Sequence, residues 1–94
     1  MNVTNSFNCK YTKALSSGQR VKRFVNIENV ARRKLRQLEI ANRIEDLRIP
    51  PGNHLEKLKG DRSGQYSISI NDQWRICFYW SNAGADEVEI VDYH

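Results

Sequence analysis

The feature that most constrains this chain is the break at Pro50-Pro51-Gly52-Asn53, because the spacing of apolar residues changes across it. Proline lacks the amide donor that a helix interior needs and disfavours helix in the residue before it, so no helix crosses this point. Before the break, Ile27, Val30, Ala31, Leu35, Leu38 and Ala41 recur at helical intervals and mark one apolar stripe. After it the period is two. Tyr66, Ile68 and Ile70 alternate with Gln65, Ser67 and Ser69, and Trp74, Ile76, Phe78 and Trp80 alternate with Arg75, Cys77 and Tyr79.

Local signals refine this division. Asn26 is predicted to cap the long helix, with Val25 and Val30 at the spacing of a hydrophobic staple. A shorter helical turn is expected over Thr12–Ser17, ended by Gly18, and another through Ile44–Leu47. Val3–Phe7 reads as an edge strand, Asn71-Asp72 as a turn, Ser81–Ala85 as a hairpin loop, and Val88 and Ile90 as part of a last strand. Leu55–Lys59 reads as a further strand, but Leu55 and Leu58 have opposite parity, which predicts a bulge or an early end. The helix stripe and the Tyr/Ile/Trp/Phe face cover each other most economically by packing together. The expected fold is α+β, a single domain over residues 1–94, with two N-terminal helices packed on one face of a small antiparallel sheet. The opposite face, with Gln65, Ser67, Ser69, Arg75 and Tyr79, is expected to stand open.

A chain of 94 residues with 39% hydrophobic residues supports one modest core. It has no apolar run near the roughly 20 residues that span a bilayer, and no apolar signal region at its N-terminus, so a cytoplasmic location without membrane contact is expected. Cys9 and Cys77 show neither metal-ligand spacing nor a disulfide-dense pattern, in keeping with a reducing compartment. Residues 1–50 carry eleven Lys/Arg against four Asp/Glu, a charge of +7, whereas residues 51–94 carry four against seven, a charge of −3. A basic half suits a polyanion such as RNA. It equally suits a solvated helix face that maintains solubility. Charge alone leaves both readings open.

Zinc-ligand clusters, phosphate-cradling glycine loops and a Ser-His-Asp order are missing from the sequence. What remains is Lys59, Arg62, Arg75, Tyr93 and His94, with His54 and Glu56 nearby. Cleaving an RNA phosphodiester requires a base for the ribose 2′-hydroxyl, a cation for the phosphorane and an acid for the leaving 5′-oxygen, and these residue types supply all three. His94, at the end of the given sequence, has its own carboxylate and Asp92 nearby, both of which favour the imidazolium. The competing reading is a frayed terminal residue. Arg75 reads either as functional or as a strand arginine covering apolar surface with its stem. Trp74 and Trp80 share parity with the core, Cys77 reads as an inert strand residue, and Tyr79 is the better candidate to stack on a base.

Three motifs in order resemble a known family. Leu58-Lys59-Gly60-Asp61-Arg62-Ser63-Gly64-Gln65-Tyr66-Ser67-Ile68, then Asn71-Asp72-Gln73-Trp74-Arg75-Ile76, and the ending Val91-Asp92-Tyr93-His94 are similar to the HigB branch of the RelE/ParE toxin superfamily. The similarity extends upstream through Pro50-Pro51-Gly52-Asn53 and more loosely to the helix from Asn26. It implies the toxin of a type II toxin–antitoxin pair, a ribosome-dependent endoribonuclease that cuts mRNA in the A site of the 70S ribosome. It also implies a HigA-like helix-turn-helix antitoxin, and contact with operator DNA only through that partner. No cofactor or metal is implied. The catalytic positions carry over to Lys59, Arg75, Asp92, Tyr93 and His94, with RNA contacts expected at Arg62, His54, Lys57 and Tyr79. Some relatives have a histidine where this sequence has Glu56; either Glu56 acts as the base, or His54, two residues away on the same strand face, substitutes in part. The alternative class is a toxin that is not a nuclease: a ParE-like gyrase inhibitor, or an inactive member kept as operon co-repressor.

Overall fold

The computed structural model describes residues 4–93. Helix α1 spans Lys10–Ser16 and α2 spans Glu28–Ile40, followed after the proline break by strands β1 (Glu56–Lys57), β2 (Tyr66–Ser69), β3 (Trp74–Ser81) and β4 (Gly84–Asp92). The sheet order is β1-β2-β3-β4 with every neighbour antiparallel. The α+β class and the helix layer on one sheet face are as expected. Of the expected N-terminal edge strand, Val3 lies outside the described residues. Phe7 forms a parallel bridge to Val88, and the Asn5 and Asn8 amides donate to the Ala85 and Val88 carbonyls at 2.8 and 3.0 Å. This segment pairs with the free edge of β4, which would otherwise invite a foreign strand.

Ile27, Ala31, Leu35, Leu38 and Ala41 are all buried against Ile68, Ile76, Phe78, Val88 and Ile90 in one core. The helix begins later than expected. Asn26 is not its cap: Lys22–Ile27 forms a 3₁₀ turn, and no side chain caps α2. The three-residue period of that turn drives Phe24 and Ile27 into the core together and leaves Val25 47% exposed, so the staple does not close. Glu28 serves the helix start instead. Its carboxylate takes Arg32 at 2.7 Å and Arg20 at 3.5 Å, which complements the helix dipole. Gly18, with φ 92°, ends the first helix as predicted, and Arg32 donates across to the Leu15 and Gln19 carbonyls at 3.2 and 2.7 Å. One of the four basic residues on the long helix is therefore a brace for its neighbour.

The expected Leu55–Lys59 strand ends early, at Lys57, because Leu58 turns its amide to the Gln65 carbonyl (2.8 Å) ahead of a 3₁₀ turn at Gly60–Arg62. The Ser81–Ala85 loop is tighter than expected: Ser81 pairs with Gly84, leaving two residues in the turn. At Asn71 the side-chain oxygen accepts from the Gln73 and Trp74 amides, both at 2.8 Å, closing the predicted turn. The largest correction concerns the second sheet face. Gln65 and Ser67 are buried, together with Cys77, because long side chains from the sheet margins lie over them.

Candidate active site

Register decides which residues meet. Glu56 pairs with Ser67, Ser67 with Cys77, and Cys77 with Glu89, while Ser69 pairs with Arg75 and Arg75 with Val91. Side chains alternate along a strand, so Glu56, Ser67, Arg75, Cys77, Glu89 and Tyr93 share the face away from the helices. Ser67 and Cys77 form its floor. Arg75 lies across that floor: its Nε donates to Ser67 Oγ at 2.9 Å, and its Nη2 donates to the His54 carbonyl at 2.7 Å. Glu56 stands 3.9 Å from Nη2, and the Tyr93 ring lies 5.9 Å from the guanidinium carbon. The Arg75 side chain is only 13% exposed. Among the described residues, Nη1 meets no acceptor, so two N–H groups remain for an incoming oxyanion.

Arg62 occupies the next position along this face. Its Nη1 donates to Gln65 Oε1 at 3.0 Å and to Glu89 Oε1 at 3.1 Å. Burial is the largest single influence and works against its charge, but the Glu89 hydrogen bond together with the attraction of Cys77, Glu89 and Tyr93 outweighs it and holds its pKa above the ordinary value. Burial also pushes the Cys77 thiol up, against the pull of Arg62 and of a hydrogen bond from Tyr93. Tyr93 is raised chiefly by burial and then by its contacts with Cys77. The phenol consequently keeps its proton at neutral pH. Tyr79 shares this side of β3 and lies against Gly64, where an added Cβ would fall 3.4 Å from the ring.

The structure thus brings together Arg75, Glu56, Tyr93 and Arg62, with His54 contributing its backbone carbonyl and leaving its side chain exposed. Lys59 is exposed at the head of the Gly60–Arg62 turn that carries Arg62. Two expected residues face elsewhere. Lys57 pairs with Tyr66, on the parity of the core side, and Asp92 pairs with Trp74, where it accepts from Gln73 Nε2 at 3.1 Å. Sheet alternation makes Asp92 and Tyr93 diverge although they are adjacent in sequence. His94 lies outside the described residues. Two hollows of about 500 and 470 Å³, beside Tyr11 and beside Val25–Val30, share no residue with this cluster.

Sequence reasoning missed Ser67, Cys77 and Glu89. Parity offered a signal for each, since Glu89 shares a face with Tyr93, and Ser67 and Cys77 share one with Arg75. What parity lacks is the cross-strand register that makes them neighbours.

A two-helix layer on a four-stranded antiparallel sheet, with Arg and Tyr residues gathered on the bare face, has the architecture of a RelE-like toxin. The model of the HigB-like toxin family, described as the RelE-like toxin of type II toxin–antitoxin system HigB, matches residues 5–94, and the chain belongs to that family. Among similar proteins, Toxin HigB-1 of Vibrio cholerae serotype O1 is 49% identical over 55 residues, which is 58% of this chain and 58% of that protein. Endoribonuclease HigB of Proteus vulgaris is 45% identical over 40 residues, covering 43% of this chain and 44% of its own length. An uncharacterized protein of Haemophilus influenzae is 40% identical over 57 residues, 61% of this chain and 56% of the other. The matched stretches thus span about half the length of these relatives.

Proposed function

We propose that this toxin is an endoribonuclease that cuts mRNA on the ribosome, and that the face built around Arg75 is its active site. The observation that carries the reading is the Arg75 guanidinium, held flat by Ser67 and the His54 carbonyl with two N–H groups unspent among the described residues. A preorganised cation of this kind stabilises charge that grows on a phosphorane without reorganising during the reaction. In the proposed step a base removes the 2′-hydroxyl proton, O2′ bonds to phosphorus, and the P–O5′ bond breaks as an acid protonates O5′. The products are a 2′,3′-cyclic phosphate and a 5′-hydroxyl. Arg75, Lys59 and Arg62 carry the phosphate charge, so the step needs no metal ion. Glu56, beside Arg75, is assigned as base, and His94 as acid. Tyr93, protonated and over Arg75, orients or stacks on a base. The name of the Proteus vulgaris relative supports the reaction class.

The remaining parts of the reading are a HigA-like helix-turn-helix antitoxin that neutralises the toxin, operator DNA contacted through that antitoxin, and action in the cytoplasm. No described helix is long and apolar enough to cross a membrane. The test is inducible expression of the wild type and of Arg75→Ala, followed by mapping of mRNA 5′ ends. Growth arrest with new breaks inside coding sequence for the wild type alone is the expected result. Arrest with DNA damage and intact mRNA would replace the nuclease with a gyrase inhibitor.

A further inference from the structure

The contacts that aim Arg75 begin on the opposite side of the molecule, at helix α2. Asn53 is fully buried, an unusual place for a polar side chain, and both polar atoms of that side chain are engaged. Its Nδ2 donates to Gln37 Oε1 at 3.1 Å, to the Leu47 carbonyl at 3.0 Å and to the Ile49 carbonyl at 3.4 Å, while Oδ1 accepts from Lys34 Nζ. An amide side chain carries two N–H donors and a separate carbonyl acceptor, so it can donate to several oxygens and accept from an ammonium at one site. The Asn53 and His54 amides close back on Pro50 and Pro51 at 2.9 and 3.1 Å, and His54 takes up a left-handed backbone, φ 45° and ψ 56°. Non-glycine residues enter that region rarely and remain there only when their surroundings hold them. Here the result is a carbonyl turned to the Arg75 Nη2 at 2.7 Å.

We propose that Asn53 is a positioning residue: it clamps the proline turn onto α2, fixes the left-handed carbonyl of His54, and through it sets the plane of the Arg75 guanidinium. The inference rests on Arg75 binding the scissile phosphate. It assigns His54 a role through its backbone, with the exposed imidazole playing no part. It also explains two residues on the otherwise solvent-facing circumference of the helix, Lys34 and Gln37, as the anchors of the clamp.

The test compares His54→Gly with His54→Val. Both remove the imidazole, but glycine accepts the left-handed conformation and a β-branched residue resists it. His54 is exposed, so neither variant removes core packing. Single-turnover cleavage of a short message bound to 70S ribosomes with an open A site is expected to be about tenfold slower for His54→Val than for His54→Gly, at equal half-saturating concentration. Nuclear magnetic resonance of the full chain supplies a readout independent of cleavage. Solvent exchange of the Arg75 Nε proton should be faster in His54→Val and in Asn53→Asp than in the wild type and His54→Gly. Equal rates and equal exchange in the two His54 variants would overturn the proposal, and a parallel loss in both would return the role to the imidazole. A wild type that cuts no message but shows the expected exchange pattern would overturn the nuclease reading and leave the clamp standing.

Discussion

The two faces of the sheet are both dry at their centres, for opposite reasons. On the helix side Ile68, Ile76, Phe78, Val88 and Ile90 are covered by another apolar layer. On the other side Ser67 and Cys77 are covered by Arg75, Arg62 and Tyr93, long side chains reaching in from the margins. The first arrangement stabilises, since each large apolar side chain buried contributes about 1.5–3 kcal/mol. The second holds cations at reduced solvation against fixed partners, which favours an anionic ligand. Stability and the proposed activity thus fall on different faces of the same strands, often on adjacent residues.

Substitutions on β3 test this division most severely. Phe78→Ala should destabilise the fold by about 3–5 kcal/mol in urea titrations, and activity should be lost only with the fold. Arg75→Ala, three positions away, should reverse the emphasis: a loss of about 10²–10³-fold in cleavage with only about 1–2 kcal/mol of stability lost as the buried Ser67 hydroxyl gives up its partner. Equal losses of stability in the two variants would erase the distinction between the faces.

A smaller effect is expected from pH. Cys77 and Tyr93 both have pKa values raised in the folded protein above their ordinary 9.0 and 10.0. The native state therefore holds these protons more tightly than the unfolded chain does. Their contribution is fully present below about pH 9 and is lost as pH rises through the folded values. Cys77→Ala should shallow this alkaline decline in thermal melts, whereas a decline of unchanged slope would place its origin elsewhere. The smallest effect is expected for Glu89→Gln. Its pair with Arg62 is partly exposed, so the stability change should stay within about 1 kcal/mol and shrink further in salt.

Much of the fold was legible because periodicity reports burial directly. The stripe from Ile27 to Ala41 and the alternation from Tyr66 to Trp80 identified both sides of the core. Local start signals were less reliable. Asn26 had the chemistry of a cap, yet core packing of Phe24 and Ile27 imposed a 3₁₀ turn over it. In the candidate site, Arg75 and Tyr93 could be named from residue type, motif and parity, while the buried positions of Ser67 and Gln65 could not. Parity separates two faces but is silent about what lies over them. The basic helix shows the same limit: Arg32 braces the end of α1 and Lys34 binds Asn53, roles that total charge does not distinguish from solvation.

By itself the sequence determined a helical layer, an antiparallel sheet and the residue types available for phosphate chemistry, because these follow from spacing along one chain. Only the tertiary structure decided that Arg75 rests between Ser67 and the His54 carbonyl and that Arg62 is paired with Glu89. Those outcomes depend on strand register and on the conformation of the turn at 50–54. Each places residues far apart in sequence within hydrogen-bond reach, and no local preference encodes that distance.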